Sequence, residues 1–147
     1  MSTLLGPEEA ELKILETTFS EAWDDVAFPY VIGDDAFQGE RTKPWVRFSV
    51  LPGKGLREDL GSSAPRYEYP GTLTVQCFIP QQWETAPQWV AADLCQRVRA
   101  IFEDQQFVTD TDGHIVCYET SYQRLPPESS WQRYNVVTPY VRYEVTS

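Results

Sequence analysis

Few residues in this chain have chemistry to offer. There is one histidine, His114, directly after Asp110-Thr111-Asp112-Gly113. A general base needs an orienting partner and a nucleophile within reach, and no neighbouring motif supplies either. A metal ligand needs companions, and no second histidine exists. Asp110, Asp112 and Gly113 have the opening composition of a calcium loop, but His114-Ile115-Val116 follows where further Asx positions and a closing Glu belong. A turn is the better reading. Glu103-Asp104 falls near a helix end, against the dipole, and reads as a solvated face. Gly53-Lys54-Gly55 suggests phosphate contact, yet no helix opening with Ser or Thr follows the lysine. No GxGxxG, Walker loop, GxSxG or HExxH occurs. Cys77, Cys95 and Cys117 are odd in number without CxxC spacing, which reads as small buried thiols in a reducing cytosol. The expectation is a non-enzyme with no catalytic residues, no metal and no cofactor. The reading that keeps chemistry is a small enzyme or ligand-binding α+β domain with His114, Asp110 and Asp112 near a cleft.

Composition narrows the rest. The 147 residues are 41% hydrophobic and 14% aromatic, with five Trp, eight Tyr and seven Phe. That is enough for one domain with a real core, and aromatics serve interfaces as readily as cores. Twelve basic against 22 acidic residues leave a net charge of -10, the wrong sign for a protein that grips a phosphate backbone. It suits a wall past which DNA slides without sticking. No apolar run reaches the ~20 residues of a membrane helix, and Met1 to Glu9 has neither a basic n-region nor an apolar h-region. A soluble product of the cytosol, without membrane contact, is expected.

The elements that must carry these residues are clearer than any site. Pro7 suits a first helical position, and Glu8, Glu9 and Glu11 favour the positive end of a helix. Leu12, Leu15, Phe19, Ala22, Trp23 and Val26 then recur at helical steps, predicting a helix from about Glu8 to Asp25, ended by Phe28-Pro29. Tyr30 to Lys43 reads as an extended strand and a polar loop. Pro44–Leu51 predicts a strand with Val46, Phe48 and Val50 on one face. The run from Arg66 to Phe107 is the best ordered. Leu73, Val75, Cys77 and Ile79 alternate along one long strand that stops at Pro80, and Val90, Leu94, Val98, Ile101, Phe102 and Gln105 then mark a helix. Asp112-Gly113 has the composition of a positive-φ turn, leading into a strand from His114 to Gln123. Leu125–Ser130 reads as a second turn. The last strand, Trp131 to Val145, places Val137, Val141, Tyr143 and Val145 on one face; Pro139 makes it an edge or bulged strand. Helices segregated from strands predict an α+β fold, an antiparallel or mixed sheet with two α-helices packed on it, as a single domain over 1–147.

Candidate contact residues lie outside this frame. The segment 53–65 holds three glycines, two serines and a proline, far more than is needed to join two antiparallel neighbours. Loops longer than ~12 residues are usually functional or disordered. Lys54, Arg57 and Glu58, with Leu56 and Leu60 as anchors, make it a segment expected to order on a partner. Trp83 and Trp89 stand off the helix stripe, where an aromatic serves either local packing or an interface, and with Tyr122 they are candidate interface anchors, a role in which Trp and Tyr are enriched.

Arg66 and Gly71-Thr72-Leu73-Thr74-Val75-Gln76-Cys77-Phe78-Ile79-Pro80, followed by Ala91-Ala92-Asp93-Leu94 and Val98-Arg99-Ala100-Ile101-Phe102, resemble the central part of tailed-bacteriophage tail terminator proteins. Trp131-Gln132-Arg133-Tyr134-Asn135-Val136-Val137-Thr138-Pro139-Tyr140 resembles that family's last strand, and the N-terminal helix falls where the family has one. The long 53–65 loop and the Ser2–Leu5 extension depart from it. The resemblance implies a virion protein of the tail and neck, assembled in the host cytoplasm, with no enzymatic activity and no cofactor. It implies a ring, typically a hexamer, that caps the head-proximal end of the tail tube, halts polymerisation of the tail tube protein and presents a surface to the head-tail connector or stopper protein. Genomic DNA would pass through the lumen without specific binding. The alternative within the same assembly is another neck, head-tail joining or tail-completion protein.

Overall fold

The computed structural model describes residues 6–24, 26–37, 39, 42–53, 56–57 and 66–145. Helix α1 (Pro7–Ala22) opens with Pro7 at its first turn and Glu8 and Glu9 at its positive end. It stops at Ala22, three residues before the expected end, where extended Trp23 donates its N–H to the Phe19 carbonyl. The Trp23 indole then bonds the Phe28 carbonyl at 2.9 Å and fixes the turn that follows.

Eight strands of the described residues form one sheet: β1 (Tyr30–Ile32), β2 (Trp45–Pro52), β3 (Leu56–Arg57), β4 (Arg66–Pro80), β5 (Gln106–Val108), β6 (His114–Cys117), β7 (Ser121–Glu128) and β8 (Trp131–Val145). Helix α2 (Pro87–Phe102) separates β4 from β5. The main order is β1-β2-β4-β8-β6-β5, with β3 also on β4 and β7 also on β8. Among the described strands only the β1–β2 pair is parallel, so the sheet is mixed and the fold is α+β. Its spine is the antiparallel ladder in which all of β4 pairs with all of β8, Arg66 opposite Val145 and Pro80 opposite Trp131.

Directly opposed residues share a face, so the register separates two surfaces. One carries rows such as Phe48–Val75–Val136–Tyr122 and Val46–Cys77–Tyr134–Arg124. Leu15 and Phe19 of α1 and Val90, Leu94, Val98 and Phe102 of α2 join these rows in the core. The other face carries Ser49–Thr74–Val137–Ser121.

Several expectations change here. The single strand from His114 to Gln123 is two, β6 and β7, broken at Tyr118–Thr120. Both lie along the same side of β8, so β8 is central rather than an edge. Pro139 sits between their pairings, its carbonyl accepting the Tyr118 N–H at 2.9 Å. A residue's amide and carbonyl point to the same side of an antiparallel strand, so the missing donor of Pro139 faces the break. The expected Leu125–Ser130 turn is strand to Glu128, closing in a tight turn at Ser129 with φ 53. The Pro126-Pro127 pair is tolerated because β7 is an edge strand. Val137, Val141 and Tyr143 do share one face of β8, and the buried face is the other one, Tyr134, Val136, Thr138, Tyr140 and Arg142. The α2 helix stops at Phe102, leaving Gln105 exposed outside it. In the 110–113 turn the positive φ falls on Asp112, while Gly113 is buried and donates its N–H to Thr109 Oγ1 at 2.8 Å.

A buried ionic cluster fastens α1 to the sheet. Arg142 Nε reaches Glu11 Oε1 at 2.7 Å, with both side chains 1% exposed. Tyr140 donates its hydroxyl to Glu11 Oε2 at 2.8 Å, Arg142 Nη1 meets Glu144, and the guanidinium lies 4.1 Å over the Tyr69 ring. Burial alone would lower the Arg142 pKa; the Glu11 hydrogen bond and the Glu144 charge outweigh it and hold the pKa above its ordinary value. Burial, then Glu11, raises that of Tyr140. Gly71 stands opposite Tyr140, and a Cβ there would lie 2.6 Å from the ring, so glycine makes room for the tyrosine.

The three cysteines are buried and free. Burial raises the pKa of Cys77 and Cys95 and pushes Cys117 up to about 12. A raised folded-state pKa gives stability that is complete below the unfolded thiol value of about 8.5 and is lost as pH climbs toward the folded value. Stability should therefore fall between about pH 8.5 and 12. At pH 8 the folded chain should show no fast thiol reaction with an aromatic disulfide reagent, and the urea-unfolded chain should show three equivalents. A rapid equivalent from the folded chain would contradict the burial.

Candidate docking surface

The chemistry-bearing residues do not assemble into a centre. His114 is exposed, its Nε2 3.0 Å from Gln106 Oε1. Asp110 binds Lys13 at 2.7 Å, and Asp112 serves the turn. Glu103 is not merely solvated: it accepts the Thr120 N–H at 2.8 Å and pairs with Arg99 at 3.4 Å. Among the described residues no three of His, Cys, Asp and Glu come together to hold a metal ion. No described helix is long and apolar enough to cross a membrane.

What does assemble is aromatic. Pro80 ends β4, and its carbonyl takes the Trp83 N–H at 3.0 Å, turning the chain toward α2. Pro87 opens that helix, which places Trp89 in its first turn, 69% exposed, beside buried Val90. Trp83 is half-buried against the core. The two tryptophans line one groove of about 270 Å³ with Ala27, Phe28, Lys43, Pro44, Asp93 and Arg97. Arg97 lies 5.4 Å over the Phe28 ring and pairs with Asp93 at 3.3 Å and Asp24 at 3.7 Å. Val26, 90% exposed, adjoins Ala27. Trp83 also borders a wider recess of about 630 Å³ with Gln82, Glu84 and Trp131. Behind it Phe37, Trp45 and Phe78 stack at 4.2 Å intervals, with Trp131 edge-on.

Tyr122 lies elsewhere. It sits on β7, 46% exposed, with Arg124 beside it on the helix-bearing face. These two close the core rows that begin at Phe48 and Val46, at the edge of the sheet. Ala27, Phe28, Lys43 and Pro44 lead into β1 and β2, at the opposite edge. Of the three aromatics singled out in the sequence, Trp89 and Tyr122 are exposed and Trp83 packs half-buried against the core, and the fold sets the two exposed ones on unlike patches. Asp93 was missed in the sequence, although it follows Trp89 by four residues and so shares its helix face; Val26, expected on the apolar stripe of the first helix, lies past its end and is exposed. Arg124 was missed too. Of the loop candidates, Leu56 and Arg57 enter as backbone, paired with Glu68 and Tyr67 as β3; Lys54, Glu58 and Leu60 lie outside the described residues.

The fold has a solved counterpart. Twelve chains of known structure match it. One of them superposes with a TM-score of 0.60 at 15% identity, covering 88% of this chain and 94% of that chain. At that identity the likeness carries the fold alone. No family model and no curated protein matches the chain.

Proposed function

We propose that the chain is a ring-forming virion subunit of the tail terminator type. It closes the head-proximal end of a phage tail tube, ends polymerisation and offers the head connector its docking surface. The observation that carries this reading is the pair of unlike exposed patches on opposite edges of one sheet. A head-to-tail ring needs two different complementary surfaces on each subunit, related by a rotation that closes. The element order supports the same reading, because an N-terminal helix, a long strand stopped by proline, a helix and a long final strand occur where the resemblance expects them. The net charge of -10 suits a lumen that repels a phosphate backbone.

Mass photometry and negative-stain imaging of the concentrated protein, alone and with tube subunits, test the proposal. Rings of about six copies that cap tubes and stop their growth are expected. A strict monomer that leaves tube length unchanged would overturn it.

A further inference from the structure

We propose that β7 of one copy docks on the Trp89 surface of the next, Tyr122 packing against Trp89 and Arg124 pairing with Asp93. This contact rests on the ring reading and says which two patches meet. Arg124 is the first reason. Lys13, Arg97, Arg99, Arg133 and Arg142 each pair with a carboxylate, and Arg47 bonds two backbone carbonyls. Among the described residues Arg124 has only the neutral amide of Gln132, at 3.3 Å. An exposed guanidinium left with an amide, in a chain with 22 acidic residues, is free to take a carboxylate from outside. Arginine meets one with two parallel hydrogen bonds.

The opposite edge supplies that carboxylate. Asp93 is 54% exposed and Asp24 58% exposed, both sharing the single Arg97. The apolar parts match as well. Trp89 lines the groove, and Tyr122 lies two residues from Arg124 on the same face of its strand. Trp, Tyr and Arg are the residues that carry interface energy. The outer edge of β7 has no strand beside it among the described residues, so a neighbour can approach its whole length. The patches differ and sit at opposite edges, so docking one on the other propagates and can close, whereas a contact of like patches stops at a dimer.

Charge exchange and cross-linking test the contact in the full chain. Arg124→Asp and Asp93→Arg should each weaken ring formation at least tenfold by mass photometry, and the two together in one chain should restore it. Tyr122→Cys with Trp89→Cys in one chain should, on mild oxidation, give a covalent ladder ending at the ring number. Each single cysteine variant should give no ladder, and a mixture of the two singles should stop at dimers. The native thiols are buried and do not compete. If the wild type forms rings that survive both charge reversals and the cysteine pair fails to link, the contact is wrong and the ring reading stands. Intact rings that lose only tube capping on Arg124→Asp would assign the patch to the tube subunit and overturn the contact. A wild type that stays monomeric removes the ring reading and the contact together.

Discussion

Arg142→Met is expected to destabilise the protein by about 3–5 kcal/mol, the cost of leaving one member of a buried ion pair uncompensated. The variant strands the Glu11 carboxylate, 1% exposed, with the Tyr140 hydroxyl as its remaining partner. It also strips Glu144 of its cation and Tyr69 of the guanidinium on its ring. A domain has about 5–15 kcal/mol in total, so this is a large fraction, and it falls on the contact that fastens α1 to β8. Replacing both partners, Glu11→Leu with Arg142→Met, should recover most of the loss, because a well-packed apolar pair often equals or exceeds a buried ionic one. Urea unfolding followed by fluorescence measures both, with the slope unchanged if only stability moves. A single-variant loss below about 1 kcal/mol, the range of exposed pairs, would show that water reaches the cluster.

This cluster marks where the sequence stops being legible. The faces of β2 and β4 alternate cleanly, and Val46, Phe48, Leu73, Val75, Cys77 and Ile79 are buried as their period predicts. On β8 the two faces are nearly equal in apolar content. Alternation groups Val137, Val141 and Tyr143 on one face without saying which face is covered, and the chain buries the other, Tyr134, Val136, Thr138, Tyr140 and Arg142. An arginine and a threonine are buried only when distant partners satisfy them. Those partners are Glu11, near the start of the chain, and Thr120, whose hydroxyl lies 2.7 Å from that of Thr138. β1 and β5 have three residues each, too short for a period, and exist because β2 and β6 offer them a ladder.

The candidate surface was legible in part for a similar reason. Trp83 and Trp89 declare themselves by standing off an apolar stripe, which is local information. Their meeting with Phe28 in one groove depends on where the α1–β1 turn falls. That turn is set by the Trp23 indole on the Phe28 carbonyl. Arg124 could not be singled out from sequence, because its lack of a carboxylate among the described residues shows only once the partners of Lys13, Arg97, Arg99, Arg133 and Arg142 are in place. The split of aromatics between two edges depends likewise on β7 pairing with β8 while β1 pairs with β2.

Phe48→Ala is expected to cost about 3–5 kcal/mol, as large-to-small changes at fully buried aromatics do. The ring is 0% exposed and is the point where three elements meet. It stacks on Phe19 of α1 at 4.3 Å and 16°, and on Phe102 of α2 at 5.9 Å and 12°. Phe19 stacks in turn on Trp23 at 4.8 Å. Truncation opens a cavity under both helices at once, and neither can settle inward without losing its grip on the other, so the site collapses poorly. Leu51→Ala on the same strand provides the control. That side chain is 69% exposed, and its loss should move stability by no more than about 0.5 kcal/mol. A Phe19–Phe48 double-mutant cycle should show coupling of about 0.5–1.5 kcal/mol, as for stacked rings beyond their burial. Additive losses would mean that each helix holds the sheet independently. Coupling would mean that the aromatic column holds both helices to the sheet as one unit, and with them the frame on which the two edge patches are set apart.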